Sequence, residues 1–213
     1  METANELTKT RAVRPKIARL AVMAARRGIP ALAACAMLLW TSPVPAQSGA
    51  RHLPLASTVA APSAARDLCA RYSWACRESK QKLADASEAI ALARQVNRRI
   101  NRKVQSVDDI AQYRVKDYWA LPSSRGGDCE DFALLKKHEL IKLGIPAGRL
   151  LIATVFSKRI GPHAVLVLRL DDGDHVLDNL DSRIKAWHQT DYTFLRIQNP
   201  ARLNTWVGVA PES

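Results

Sequence analysis

Hydrophobic and polar positions along this chain predict helices in its first half and strands in its second. Residues 82–104 carry apolar side chains at helical spacing, and residues 129–143 form a second helical run that ends before Gly144 and Pro146. Strand-like runs follow at 150–157, 163–170, 175–179 and 192–197, with Asp171 to Asp174 as a hairpin turn. Helices that precede a group of strands indicate an α+β domain.

The N-terminal residues have a different composition from the rest. Basic residues precede a mostly apolar run at 29–40, and small residues suited to cleavage end at Ala46, so residues 1–46 predict a secretory signal peptide. Residues 47–66 are small, proline-containing and aperiodic, which predicts a flexible leader. Residues 67–213 match the size of one domain.

Export by this signal would place the mature chain in the periplasm. Two alternatives remain open for the same segment. Leu32 to Cys35 looks like a lipobox, which would make Cys35 a lipidated N-terminus, and the apolar run could instead stay uncleaved as an anchor. The run is short for a membrane-spanning helix, which favours cleavage.

The chain is basic, and much of that charge belongs to the signal. The formal net charge is +12, and residues 1–46 contribute +5 of it, which leaves +7 on the mature chain. The remaining basic pairs are interpreted as solvated helix surfaces. They are Arg98-Arg99, Arg102-Lys103 and Lys136-Lys137. No nucleic-acid motif or interleaved aromatic residue accompanies them, so nucleic acid is not an expected partner.

The segment Gly126-Gly127-Asp128-Cys129 places one cysteine where a predicted helix begins. A helix N-terminus lowers the pKa of a thiol, and its unpaired backbone N–H groups can stabilise an oxyanion. A thiol in this position is typical of the nucleophile of a cysteine hydrolase. The alternative is that Cys129 is a small buried core residue, but glycines and acids are poor core neighbours.

A histidine and an aspartate occupy suitable positions downstream. His163 begins one predicted strand and Asp178 closes another. His163 could take the thiol proton and Asp178 could orient the imidazole, as in a Cys–His–Asp triad. Alone, His163 could simply begin a strand and Asp178 could be a turn residue. The three together predict acyl-transfer chemistry.

Three acids surround the candidate thiol: Asp128, Glu130 and Asp131. Their negative charge would raise the pKa of the Cys129 thiol. Two explanations stay open from the residues alone. The acids either complement the dipole of the first helical turn or bind Ca²⁺, which prefers carboxylate oxygens.

The remaining cysteines suit an oxidising compartment. Removal of the signal takes Cys35, and Cys69 and Cys76 lie in a short segment that could close as a disulfide. Cys129 would then be the unpaired thiol. The alternative is that Cys69 and Cys76 are two unrelated buried thiols.

Three segments together resemble the bacterial transglutaminase-like cysteine proteinases, a family that includes periplasmic proteases releasing surface adhesins. The segments are 127–133, 161–166 and 176–179, and the resemblance spans about residues 68–199. It implies a papain-like or transglutaminase-like fold, with the nucleophile helix packed on an antiparallel sheet. It also implies Cys129, His163 and Asp178 as the triad.

The same resemblance implies calcium at Asp128, Glu130 and Asp131, with no organic cofactor. The implied activity is hydrolysis of peptide bonds in a periplasmic or surface protein such as an adhesin, with an inner-membrane regulatory protein as a further partner. Alternatives are a transglutaminase, an amidase acting on cell-wall peptides, or a non-catalytic binding module of the same fold. The last follows from the short segment after Pro122, where family members have a longer one.

Overall fold

The computed structural model describes residues 51–79, 82–83 and 85–211. The predicted signal peptide at 1–46, the lipobox Cys35 and the first residues of the predicted leader lie outside this part of the chain. Within the described residues, no helix is both long enough and apolar enough to span a membrane.

The described chain contains two long α-helices and three short ones, besides three single-turn 3₁₀ helices. Their bounds are α1 Leu68–Arg71, α2 Ser73–Cys76, α3 Ala86–Lys103, α4 Asp109–Gln112 and α5 Cys129–Lys142. The sequence predicted both long helices, although α3 begins four residues later than expected. The side chain of Asp85 sets this start, because it accepts a hydrogen bond from the amide of Ser87 at 2.7 Å.

The strands form one antiparallel sheet in the order β1-β7-β6-β2-β3-β4-β5. Their bounds are β1 Leu55–Val59, β2 Leu150–Ser157, β3 Gly161–Leu170, β4 Gly173–Leu177, β5 Lys185–Ala186, β6 Tyr192–Asn199 and β7 Arg202–Val209. The prediction of an α+β fold with the nucleophile helix on an antiparallel sheet is confirmed.

The structure differs from the predicted leader at strand β1. Leu55 pairs with Val209 and Val59 with Trp206, so residues 55–59 extend the sheet by one strand. All five residues of β1 are exposed, so the segment lacks the alternation of buried and exposed side chains that marks a half-buried strand. Backbone pairing with β7 holds this edge strand, and its exposed side chains, apolar and polar together, give no periodic signal for it.

The central strands β2 and β3 are buried on both faces of the sheet. Leu150 and Ile152 join the core beneath the helices, whereas Leu151 and Ala153 join a second cluster on the opposite face. Alternate residues of a strand point to opposite faces, so both clusters share the same two strands. Helix α5 packs on β3 and β2 and also against α3, which encloses it.

Enclosure of α5 buries the basic pair Lys136 and Lys137, each 0% exposed. The prediction of a solvated helix surface is therefore wrong for this pair. Lys137 Nζ donates to Gln198 Oε1 at 2.7 Å, whereas Lys136 Nζ has no hydrogen-bond partner and lies 5.7 Å from the centroid of the Phe132 ring. Burial lowers the pKa of each lysine to about 7.

Cys69 and Cys76 form a disulfide that ties α1 to α2, as their spacing suggested. Helix α2 packs against α5 and β7, so the bridge lies in the layer that supports the nucleophile helix. Cys129 is left as the free cysteine of the described residues.

Candidate active site

Two glycines bring the chain to the start of α5. Gly126 has a φ of +123°, and a Cβ there would lie 2.1 Å from the carbonyl oxygen of Gln105. A Cβ on Gly127 would lie 2.5 Å from Asp131 Oδ2. Neither position has room for a side chain. The two glycines therefore let this segment of the chain lie close to the backbone of Gln105 and to the Asp131 carboxylate.

Cys129 is the first residue of α5, with Asp128 as its N-cap, as predicted. Its thiol is partly buried and donates a hydrogen bond to Glu130 Oε2 at 3.2 Å. Burial and the Glu130 carboxylate raise the pKa of the Cys129 thiol well above its ordinary value, and Asp128 adds to this. Burial and the acids therefore outweigh the field of the helix N-terminus and favour the protonated thiol.

The register of β3 and β4 brings His163 to Asp178. Leu166 pairs with Leu177, so Asp178 follows the end of β4 beside the first half of β3. His163 Nε2 lies 2.9 Å from Asp178 Oδ1, and both residues are buried. The amide of Leu180 also donates to Oδ1, at 3.0 Å. This pair has the geometry that orients an imidazole.

Asp178 is ionised in this setting. Burial acts to raise the pKa of Asp178, but hydrogen bonds from His163 and Tyr192 and from the Leu180 amide lower it below its usual value. A carboxylate only accepts hydrogen bonds, so the Nε2 atom of His163 must carry the hydrogen. Nδ1 is then the ring nitrogen left to exchange a proton with the thiol.

Cys129 lies beside the start of β3. The backbone amide of Ala164, which follows His163, interacts with the Cys129 thiol and acts to lower its pKa. The structure thus brings the three predicted catalytic residues into one region where α5 meets β3. Within the described chain the thiol hydrogen bond goes to Glu130, and none joins the thiol to His163.

The predicted acids belong to a larger carboxylate cluster. Asp128 and Asp131 group with Asp109, and Glu130 groups with Asp109 and Asp117; in each group the ligand oxygens lie within 4.8 Å of one another. We call these five residues the acidic cluster. Sequence reasoning missed Asp109 and Asp117, because they lie well upstream of Cys129 and no local motif joins them to it.

The acidic cluster carries more negative charge than its surroundings balance. Burial raises the pKa of Asp109 to about 6 and that of Asp131 to about 7. Burial and the charge of Asp128 raise the pKa of Glu130 to about 10. These carboxylates repel one another at close range, and three of them are buried, so protons or a cation must compensate their charge.

Three oxygens of the acidic cluster have no hydrogen-bond partner although they are buried: Asp109 Oδ1, Asp128 Oδ1 and Asp131 Oδ2. Buried polar atoms are nearly always paired, so three unpaired oxygens in one group call for a missing partner. They belong to the same three residues that could hold a metal together. An all-carboxylate donor set fits a hard divalent cation.

A cavity of about 770 Å³ opens beside the candidate triad. Asp178 and Tyr192 line it, together with residues of mixed charge. These are Lys158, Arg159, Asp181, Arg183, Lys185 and Asp191. Neither Cys129 nor His163 lines it, so the cavity meets the candidate triad at Asp178.

Comparison with known proteins identifies the family. Residues 55–213 match the bacterial transglutaminase-like cysteine proteinases, abbreviated BTLCP. The match covers most of the chain, and the protein belongs to this family of cysteine proteinases. No curated protein matches the chain.

Solved structures of LapG from Legionella pneumophila are similar to part of the chain. The calcium-bound form is 28% identical, covering 52% of this chain and 65% of that one with a TM-score of 0.46. The EGTA-treated form is also 28% identical, covering 52% of this chain and 63% of that one with a TM-score of 0.46. The present chain thus spans less than two thirds of each of these LapG chains.

Proposed function

We propose that this protein is an exported cysteine peptidase that hydrolyses peptide bonds through Cys129, His163 and Asp178. The observation that carries the proposal is the buried His163–Asp178 hydrogen bond of 2.9 Å beside the free thiol at the start of α5. Membership in a family of cysteine proteinases supports the reaction class.

In the proposed reaction, His163 Nδ1 accepts the proton of Cys129 Sγ, and the thiolate attacks the scissile carbonyl carbon. Backbone N–H groups at the start of α5 stabilise the resulting oxyanion. The C–N bond breaks as His163 returns the proton to the leaving amine, which leaves a thioester on Cys129. Water then attacks the thioester with His163 as the base, and this releases a carboxylic acid and regenerates the thiol.

Asp178 keeps the imidazole in the required form throughout. Its carboxylate holds Nε2–H, so Nδ1 stays free to accept and return the proton, and its charge stabilises the imidazolium that forms. Asn101 Nδ2 donates to the backbone carbonyl of Asp178 at 2.8 Å and fixes the end of β4 against α3.

The same thioester could be resolved by an amine, which would make the protein a transglutaminase. Digestion of a peptide mixture in ¹⁸O-labelled water, with a primary amine present, distinguishes the outcomes. We expect new peptide C-termini that carry ¹⁸O, as hydrolysis requires. Amide products without ¹⁸O would show transfer instead, and the absence of any cleaved peptide would contradict the peptidase proposal.

We further propose that Asp109, Asp128 and Asp131 hold Ca²⁺, with Glu130 and Asp117 beside them. The three unpaired buried oxygens and the raised pKa values of the acidic cluster support this assignment. A bound cation would supply positive charge next to Cys129, which lowers the cost of forming the thiolate. Glu130 lies beside the proposed ion and accepts the thiol hydrogen bond, so it links the charge of the acidic cluster to the nucleophile.

Calcium is expected to raise the melting temperature of the wild-type protein, and Asp109→Asn is expected to remove most of the increase. A ligand present at 100 times its Kd stabilises the folded state by about 2.7 kcal/mol, which corresponds to roughly 5–10 °C for a domain of this size. Without calcium, Asp109→Asn should melt no lower than the wild type, because it relieves carboxylate repulsion.

Thermal melting and titration calorimetry with CaCl₂ measure this effect. The matched control is Asp171→Asn, which removes an exposed carboxylate in the β3–β4 turn and should keep the full calcium response. A wild-type melting temperature that does not respond to calcium would refute the calcium site and leave the peptidase proposal standing.

We also propose a periplasmic location and a protein substrate. The signal-like residues 1–46 and the Cys69–Cys76 disulfide support a periplasmic location, since disulfides persist in oxidising compartments. The substrate would be a periplasmic or surface protein, such as an adhesin. An inner-membrane protein that controls the peptidase is a further proposed partner.

A further inference from the structure

Both carboxylate oxygens of Asp178 are held by hydrogen bonds. Oδ1 accepts from His163 Nε2 at 2.9 Å and from the Leu180 amide at 3.0 Å. Oδ2 accepts from the hydroxyl of Tyr192 at 2.5 Å. The phenol thus supplies the side-chain contact on the carboxylate oxygen that His163 does not use.

Tyr192 reaches this position from a different part of the sheet. It is the first residue of β6 and pairs with Ser157, the last residue of β2. Its ring centroid lies 5.6 Å from that of His163, with the ring planes 52° apart. One aromatic side chain therefore contacts both members of the imidazole–carboxylate pair.

The ring of Tyr192 also lies at the wall of the large cavity. Tyr192 and Asp178 line that cavity, whereas His163 does not. Only 4% of the His163 side chain is exposed. A ring placed here limits the access of water to the hydrogen bond between Nε2 and Oδ1, and a hydrogen bond is stronger where water is excluded.

A carboxylate held at one oxygen can rotate about its Cβ–Cγ bond and change the oxygen it offers. The hydroxyl of Tyr192 on Oδ2 opposes this rotation, because turning the carboxylate would break a hydrogen bond to a charged group. Hydrogen bonds to charged groups are among the stronger ones in proteins. The orientation of His163 follows from that of the carboxylate, so the phenol controls the imidazole indirectly.

We propose that Tyr192 is a positioning residue for the proposed peptidase reaction: it fixes the Asp178 carboxylate so that Oδ1 holds Nε2–H of His163 and Nδ1 stays available for the thiol. This inference rests on the triad proposed above. Burial, followed by the hydrogen bond to Asp178, raises the pKa of Tyr192, so the phenol keeps its proton and donates throughout the neutral range. Arg159 opposes this shift and Asp181 adds to it.

The test removes only the hydroxyl. Tyr192→Phe keeps the ring at the cavity wall, and we expect kcat for a cleaved peptide to fall about 10-fold or more, because the hydrogen bond to the charged carboxylate is lost. KM should change less than about twofold, because substrate contacts with the ring persist. In the proton NMR spectrum, the downfield Nε2–H signal of His163 should shift or broaden into exchange with water.

Two controls make these readouts specific. Tyr118→Phe removes a phenol hydroxyl from a ring that packs on Arg71 and Tyr113, and it should leave both kcat and the His163 signal unchanged. His163→Gln assigns the signal by abolishing it. If Tyr192→Phe does not fold, incorporation of 3-fluorotyrosine keeps the ring and makes the phenol a stronger donor, which should shift the signal without unfolding the protein.

The outcomes separate this inference from the proposed function. An unchanged His163 signal in a folded Tyr192→Phe protein, or after fluorotyrosine incorporation, would overturn the positioning role whatever the activity. A shifted signal with unchanged kcat would overturn it as well. The signal needs no substrate, so it still reports the Tyr192 contact if the wild-type protein cleaves nothing, a result that would refute the peptidase proposal instead.

Discussion

Cys129→Ala is expected to reduce peptide cleavage by at least about 10³-fold. Alanine removes the atom that forms the thioester, and neither the His163–Asp178 pair nor the backbone N–H groups of α5 can replace a nucleophile. The measurement is the rate at which new peptide termini appear, followed by mass spectrometry with wild-type and variant protein at equal concentrations.

The control for this substitution is folding. The hydrogen bond from the thiol to Glu130 is lost in Cys129→Ala, but Glu130 keeps its neighbours Asp109 and Asp117 in the acidic cluster. The variant should therefore melt within a few degrees of the wild type. A folded Cys129→Ala protein that cleaves within tenfold of the wild-type rate would exclude the thiol as nucleophile.

Lys136→Met is expected to stabilise the protein at pH 7 by about 1–3 kcal/mol, measured as the free energy of unfolding in urea. The folded state buries the amine without a hydrogen-bond partner, and burial lowers the pKa of Lys136 to about 7 from an ordinary value near 10.5. Methionine fills a similar volume without an amine to desolvate. The attraction of Asp178 for a protonated Lys136 partly offsets the gain.

The same lysine should make stability depend on pH. As the pH falls from 10.5 to 7, the unfolded chain binds a proton at Lys136 that the folded state does not, so the free energy of unfolding falls in this window. Below pH 7 both states bind the proton and this contribution stays constant. Lys136→Met should flatten the slope between pH 7 and pH 10, and Lys137→Met should do so less cleanly because it also removes the bond to Gln198.

Lys142→Met is the matched control, since it removes a lysine from the same helix whose side chain is 63% exposed. This substitution should change the free energy of unfolding at pH 7 by no more than about 0.5 kcal/mol. It should also leave the pH dependence of that free energy unchanged. A Lys136→Met protein that is less stable than the wild type at pH 7, with an unchanged slope, would show that the buried amine is favourable where it lies.

The burial of Lys136 and Lys137 shows where pattern reasoning fails in this chain. Periodicity identified α5 and its start at Cys129, but it cannot tell whether the polar side of a helix faces water or another element. Helix α5 is enclosed by α3 on one side and by β2 and β3 on the other. Strands β2 and β3 were predictable because both of their faces are buried, which gives each strand a continuous run of apolar residues.

The candidate triad could be picked out of the sequence because each member lies at or near an element boundary. Cys129 begins a helix shortly after two glycines, His163 is the third residue of β3, and Asp178 directly follows β4. Tyr192 and Asp109 also begin elements, β6 and α4, but no neighbouring residue links either of them to the site. They reach it through contacts between segments far apart in the chain, which no local pattern encodes.

Alkylation of Cys129 by iodoacetamide, read by peptide mass across pH with and without calcium, tests the central claim most directly. Without calcium, labelling should be slow at neutral pH, because burial and Glu130 raise the pKa of the thiol. With calcium, we expect fast labelling well below pH ~8 that is lost in His163→Ala and kept in His175→Ala, a change at a histidine paired with the turn residue Asp172. Slow labelling of the wild type in both conditions, with no difference from His163→Ala, would contradict an activated Cys129–His163 pair.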